Sequence, residues 1–261
     1  MLRLPLTGPP LGLPFVVNRA SPQAVGLVGW WPTVGQSGNL LDLTGRGWTM
    51  SAPSSGATPS RVATDTFGEA RSFDGGDELN CATAVVSGEP FTVTCWFKTA
   101  VTSGVQTLAS LSNGSNQFYR LFLFDANVGA QSQGTGAYAR TTASFTANTW
   151  SLAVGVWAAT NSRTAYVNGG NPVAETTNTG ATVTQTDIGI NRGNGATYER
   201  LTGSLADVRL YNRALSAAEV WQLYAPQTRW DLYLVTPFAV APSIAAPVVS
   251  GAIRMPLLGV G

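Results

Sequence analysis

Gly203-Ser204-Leu205-Ala206-Asp207-Val208-Arg209-Leu210-Tyr211-Asn212-Arg213-Ala214-Leu215-Ser216-Ala217-Ala218-Glu219-Val220 is the stretch whose reading decides the fold. From Leu205 to Tyr211 the residues alternate with the period of two that a β-strand requires. The alternation predicts Ala206, Val208 and Leu210 on one face and Asp207, Arg209 and Tyr211 on the other. Asn212-Arg213 breaks the pattern at a turn. Ser216, with Glu219 three residues on, forms a capping box that satisfies two orphan backbone donors at a helix start. Val220, Leu223 and Tyr224 supply that helix with an apolar stripe, and Pro226 stops it.

Outward from this stretch the chain reads as many strands. Gly26 to Trp31 is one. Arg71 to Phe73 and Glu78 to Cys81 flank the turn Asp74-Gly75-Gly76-Asp77. Phe91 to Thr99 alternates strictly, with Phe91, Val93, Cys95 and Phe97 on one face. Val105–Leu111, Gln117–Phe124, Trp150–Trp157, Arg163–Val167 and Thr186–Asn191 follow. In Trp150–Trp157, Trp150, Leu152, Val154 and Val156 share a face, and Leu121 to Phe124 is apolar on both faces, as in a doubly covered strand. Asn168-Gly169-Gly170 is a hairpin signal. Short strands at regular spacing with Gly and Asn turns argue for a sandwich; the helix at 216–224 stands alone.

Composition limits the chemistry. Charged residues are 11% of the 261, against a typical value of about 25%, and Lys98 is the only lysine. The net charge of +1 offers no electrostatic footprint for nucleic acid or an anionic membrane. There is no histidine, which excludes His-based acid–base catalysis and Ser-His-Asp triads. Cys81 and Cys95 read either as two buried thiols or as a disulfide. Pro5, Pro9, Pro10 and Pro14 interrupt the apolar N-terminus, so it does not read as a secretion signal, and no stretch is long enough to span a membrane. The expectation is a protein made in a cytoplasm.

Three zones follow: a Pro-rich arm over residues 1–24, the strand-patterned region 25–225, and a second apolar arm over 226–261. Residues 232–261 carry one charge, Arg254. Solvated disordered tails are poor in apolar residues; this segment is the reverse and needs a surface to cover. The arms either fold back on their own domain or reach another subunit. Leu4, Phe15, Trp230, Leu232, Phe238 and Ile244 are the candidate partner contacts.

The pieces Gly26-Leu27-Val28-Gly29-Trp30-Trp31-Pro32, Asp42-Leu43-Thr44-Gly45, Arg71-Ser72-Phe73-Asp74-Gly75, Phe91 to Lys98, Trp150 with Val154, Tyr166-Val167-Asn168-Gly169, Ile188-Gly189 and the opening run occur in the order of one family. The chain resembles the laminin G-like, concanavalin A-like jelly-roll domains over about 200 residues. The fold this implies is all-β: a two-sheet antiparallel jelly-roll sandwich with one short C-terminal helix and extended arms at both ends. In the family Trp30, Trp96 and Trp150 fall at structural positions.

Fold does not give function. Glycosidases of this sandwich carry a Glu-x-Asp-x-Glu strand, and none occurs here; the densest acids, Asp74, Asp77 and Glu78, sit at a turn, where Asp serves local hydrogen bonds. The expectation is a non-enzymatic protein. Relatives often hold a structural Ca2+, which implies Asp42, the carbonyls near Gly45 and Gly47, and Asp207 as oxygen ligands. The chain departs from the pattern at Ala206, where a second Asp is common, and at Arg46, where Asn is usual. The alternative is that Asp42 caps a turn and Asp207 pairs with Arg209. Sugar binding requires exposed aromatic platforms, for which Tyr138, Trp157 and Tyr198 are the candidates by position.

Tyr224 to Tyr233 looks like the region that follows such domains in phage proteins. The reading that results is a structural or adhesion protein of a phage virion: a capsid decoration, head-fibre or tail-associated subunit. Its arms would contact other virion subunits or further copies of itself, and its jelly roll would reach cell-surface glycans. A stand-alone bacterial carbohydrate-binding module or lectin is the alternative.

Overall fold

A computed structural model of the chain describes residues 8, 14–54, 56–133, 137–193 and 199–236. Alternating residues become strands in the order β1 (Phe15–Val17), β2 (Leu27–Trp31), β3 (Ser60–Thr64), β4 (Gly68–Asp74), β5 (Leu79–Cys81) and β6 (Phe91–Lys98). Then come β7 (Val105–Ser112), β8 (Phe118–Phe124), β9 (Asn127–Ser132), β10 (Tyr138–Arg140), β11 (Ser151–Ala159) and β12 (Ser162–Val167). The chain ends through β13 (Gly170–Glu175), β14 (Gln185–Ile188), β15 (Thr202–Tyr211), helix α1 (Ala217–Tyr224) and β16 (Tyr233–Val235). One sheet has six strands in the order β10-β9-β8-β7-β14-β5. The other has eight: β13-β12-β11-β6-β15-β4-β3, with β2 on β15. The pairings are antiparallel, and the result is the sandwich that the motifs implied.

Period-two burial explains the inter-sheet core. Phe91, Val93, Cys95 and Phe97 of β6 join Leu121 and Leu123 of β8 there, as their shared face requires. Cys81 and Cys95 are buried free thiols of this core. Burial, and then the Asp207 carboxylate, push the Cys95 pKa up. Asn168 (φ 52°) and Gly169 (φ 77°) close the β12–β13 hairpin in the left-handed conformation that a two-residue turn demands.

A second core covers the outer face of the eight-stranded sheet. Trp96 of β6 and Leu152, Val154 and Val156 of β11 lie under Val220 and Leu223 of α1. The helix starts as read: the Ser216 hydroxyl accepts from the Glu219 N–H, and the Glu219 carboxylate accepts from the Ser216 N–H. The same core takes Val17, Trp230, Leu232 and Tyr233. Trp230 and Leu232, candidates for contact with a partner, are instead 2% and 0% exposed against their own domain. Their apolar surface is satisfied in cis. Phe15, another candidate, is half-buried against Trp30 and Tyr233, with ring centroids 5.9 and 5.0 Å away. It begins β1, which pairs with β16 from Phe15↔Val235 to Val17↔Tyr233. Leu4, Phe238 and Ile244 lie outside the described residues.

β15 corrects one detail of the alternation. Asp207 has φ 53°, and the pairing with β6 shifts register between Ala206 and Arg209. The extra residue of this bulge reverses the phase of the strand. Ala206 therefore joins the outer core, whereas Val208 and Leu210 enter the core between the sheets. The bulge also builds a buried polar hub. Asp207 accepts from Trp30 Nε1 at 2.7 Å and from Arg209 Nη2 at 2.6 Å, and the Tyr233 hydroxyl bonds to it. Arg209 donates onward to Gln23 Oε1 and to the Arg229 carbonyl. Burial opposes the Arg209 charge, but Asp207, together with Tyr211 and Tyr233, outweighs it and raises the pKa above the usual range.

Candidate functional site

The residues implied as Ca2+ ligands are committed to protein donors. Asp42 Oδ1 accepts from the Trp30 and Thr44 amides, and Oδ2 from the Thr44 hydroxyl and the Arg46 amide. It holds its own loop, where Gly45 and Gly47 turn through φ 86° and 82°. Arg19 brings a positive charge in by donating to the Thr44 carbonyl at 2.8 Å. Asp207 is taken by the hub. Trp30 bonds both carboxylates, but a cation shared by them would have to displace Arg209 from Asp207 and four donors from Asp42. The arrangement does not fit Ca2+, and the turn-capping and Asp207–Arg209 pairing are what the structure contains.

The three aromatic candidates do not come together. Trp157 is 0% exposed and stacks on Phe91 at 4.7 Å in the inter-sheet core. It cannot serve as an exposed platform, because on β11 it faces opposite to Trp150. Tyr138 is half-buried on β10 at the edge of the six-stranded sheet, edge-on to Phe122 and Phe124. Tyr198 lies outside the described residues.

The outer face of the six-stranded sheet carries buried charge that is internally matched. Arg192 pairs with Glu78 at 2.6 Å and with Asp187 at 3.3 Å, and Arg120 pairs with Glu199. Burial pushes the Asp187 carboxyl up to about 6, against the pull of Asn80, Gln185, Arg192 and Ser112.

An open site lies on the other sheet, beyond the edge of its outer core. Register places it. Ser204 of β15 sits opposite Lys98 of β6 and opposite Ser72 of β4, and Ser72 sits opposite Ser60 of β3. Ser151 of β11 pairs with Phe97, so Trp150, one residue earlier, continues the row beside Lys98. Cross-strand partners share a face. The row Trp150–Lys98–Ser204–Ser72–Ser60 thus crosses five strands. Its neighbouring row is apolar and covered: Leu152, Trp96, Ala206, Ala70 and Val62.

Trp150, Lys98, Ser204 and Ser72 line a cleft of about 530 Å³. Thr64, Asp65, Thr99 and Asn148 complete its polar rim. Phe67 supports the Trp150 ring edge-on at 4.8 Å. The Thr99 hydroxyl donates to the Thr202 carbonyl at 2.6 Å and ties the ends of β6 and β15 together. Gly203 is needed there, since a Cβ would come within 2.7 Å of the Lys98 carbonyl oxygen. Among the described residues, the Lys98 ammonium and the Ser72 and Ser204 hydroxyls have no bonding partner, and Trp150 Nε1 is buried without an acceptor. The cleft therefore presents one aromatic ring, one cation and a line of uncommitted hydroxyls. Sequence reading placed Trp150 among the structural aromatics, and the side chain is half-buried where the outer core gives way to the cleft. The helix adds an exposed aromatic of its own, Trp221, at 53%.

A family model described as concanavalin A-like lectin/glucanases superfamily, of the laminin G type, matches residues 73–221. No curated protein matches the sequence. Among solved structures, domain 4 of the extracellular arabinanase AbnA from Geobacillus stearothermophilus, in complex with arabinotriose, is similar at 17% identity and a TM-score of 0.64, over 76% of this chain and 98% of that one. The botulinum neurotoxin serotype G binding domain is similar at 15% identity and 0.56, over 76% and 50%. Trypanosoma rangeli sialidase in complex with sialic acid is similar at 20% and 0.57, over 79% and 33%. At these identities the structures show a shared fold.

Proposed function

Since this chain belongs to the concanavalin A-like lectin/glucanases superfamily, with more than half of its length inside the family match, we propose that it is a non-catalytic carbohydrate-binding protein that uses the cleft at Trp150. The observation that carries the reading is the row itself: an aromatic ring beside a line of uncommitted hydroxyls, the pairing that a pyranose with one apolar face and a polar rim requires. The arabinotriose and sialic acid complexes of structurally similar proteins support a sugar as the ligand class. A binding rather than hydrolytic role is supported by the state of Glu78 and Asp187, which share the guanidinium of Arg192. Hydrolysis requires two carboxylates free to act on either side of a scissile bond.

Trp150→Ala is expected to lower affinity for the best ligand on a glycan array by about tenfold or more. Trp221→Ala, on the exposed helix, is expected to leave the array unchanged. An array on which the wild-type protein is silent, or on which only Trp221→Ala loses signal, would overturn the proposal.

The setting proposed for this module is a phage particle, as a decoration, head-fibre or tail-associated subunit. Support comes from the sequence beyond the folded ribbon, where residues 237–261 hold one charge, Arg254. Trp230 to Thr236 pack on the domain, so the segment to test begins after Thr236. Light scattering is expected to give an oligomer for the full chain and a folded monomer for a chain ending at Thr236. A monomer in both forms favours the stand-alone lectin.

A further inference from the structure

We infer that the cleft at Trp150 takes an acidic saccharide, whose carboxylate is read by Lys98. The inference rests on the glycan-binding proposal and adds the charge class of the ligand. Its ground is the contrast between Lys98 and the other described cations. Arg61, Arg120, Arg140, Arg192, Arg200, Arg209 and Arg213 are each paired with an acid of the chain. Arg19, Arg71 and Arg163 donate to carbonyl and hydroxyl oxygens, Arg229 lies over the Trp96 and Trp230 rings, and Arg46 is exposed on the Asp42 loop. Lys98 is half-buried in a cleft wall, and no described acid pairs with it.

Geometry makes this cation part of the binding row. Register sets Lys98 between the Trp150 ring and the Ser204 hydroxyl. A sugar ring laid on Trp150 therefore directs one edge substituent at the ammonium and the next ones along the serines. Asp65 also lines the cleft, on the exposed turn after β3, and no ion pair joins it to Lys98. Lys98, not Asp65, lies in the row beside Trp150, which favours a ligand whose acid group sits on the ring that stacks. A uronate meets this demand, because its carboxylate is attached directly to the pyranose. A lysine ammonium suits it as a compact point charge able to donate three ways.

The test compares an oligogalacturonate with its carboxyl-reduced counterpart, which has the same backbone without the charge. Binding is measured by calorimetry on the full chain at low and moderate salt. The wild-type protein is expected to prefer the acidic ligand by about tenfold, as one charge-assisted hydrogen bond allows. Lys98→Met is expected to abolish that preference by lowering affinity for the acidic ligand about tenfold more than for its reduced counterpart, and Lys98→Arg to retain most of it. Unchanged melting of Lys98→Met confirms that the fold is intact. Equal wild-type affinity for both ligands, or equal loss of both in Lys98→Met, overturns the inference and leaves glycan binding standing. Binding of neither ligand, together with a silent glycan array, removes both.

Discussion

Arg209→Met is expected to destabilise the domain by about 3–5 kcal/mol, because it leaves Asp207 as an uncompensated charge in a dry site. The guanidinium and the carboxylate are 2% and 3% exposed, and they meet at 2.6 Å. The damage extends beyond the pair. Arg209 also holds Gln23 and the Arg229 carbonyl, so one side chain ties the segment before β2 to the segment after α1. For a domain of this size the loss corresponds to a fall in Tm of roughly 10 °C or more. Thermal and urea melts of the single and double variants test it. Asp207→Asn with Arg209→Met removes both charges together and is expected to recover at least half of the loss, since paired removal avoids the buried ion. A double variant as unstable as the sum of the singles would show that the hub does not act as one unit.

The second large effect concerns Trp157. Its ring stacks on Phe91 at 4.7 Å and meets Tyr119 edge-on at 6.2 Å. Truncation to alanine opens a cavity between the sheets and is expected to cost about 3–5 kcal/mol. Trp157→Phe is expected to retain most of the stability: the ring stays, and Trp157 Nε1 has no acceptor to lose. In the folded fraction, neither substitution is expected to change ligand binding, whereas Trp150→Ala weakens it. A Trp157→Ala protein that melts like the wild type would refute the core assignment.

These two tryptophans show how far the sequence can be read. The strict alternation of β6 and β11 made the sandwich legible, and the capping box of Ser216 and Glu219 made the helix legible. β3 and β13 were not, because they lie at the sheet edge and their exposed, polar residues carry no buried face to alternate against. The bulge at Asp207 was hidden for a different reason. An acid in a strand reads as outward-facing; its pairing with Arg209, two residues on, was legible, but the arrival of Trp30 and Tyr233 from distant positions, which makes burial tolerable, was not. The cleft is less legible still. Trp150, Lys98, Ser204 and Ser72 become neighbours through the register of four strands, which local pattern does not encode. The apolar character of the arms was plain, but the point at which the second arm leaves the domain was not. Trp230 and Leu232 fold in cis because the outer core offers them a complementary surface.

The short ribbon of β1 and β16 has a mechanical consequence. The Thr236 amide donates to the Pro14 carbonyl at 3.0 Å, so the two ends of the domain leave it side by side. Load applied through the flanking segments enters the ribbon at one end and opens its hydrogen bonds in succession, as a zipper opens, instead of shearing them all at once. Tension between the ends is thus absorbed first by three residue pairs, ahead of the sandwich and its cleft. A domain tethered through both flanking segments would hang at a single point, like a pendant, with a weak link placed where yielding does least harm.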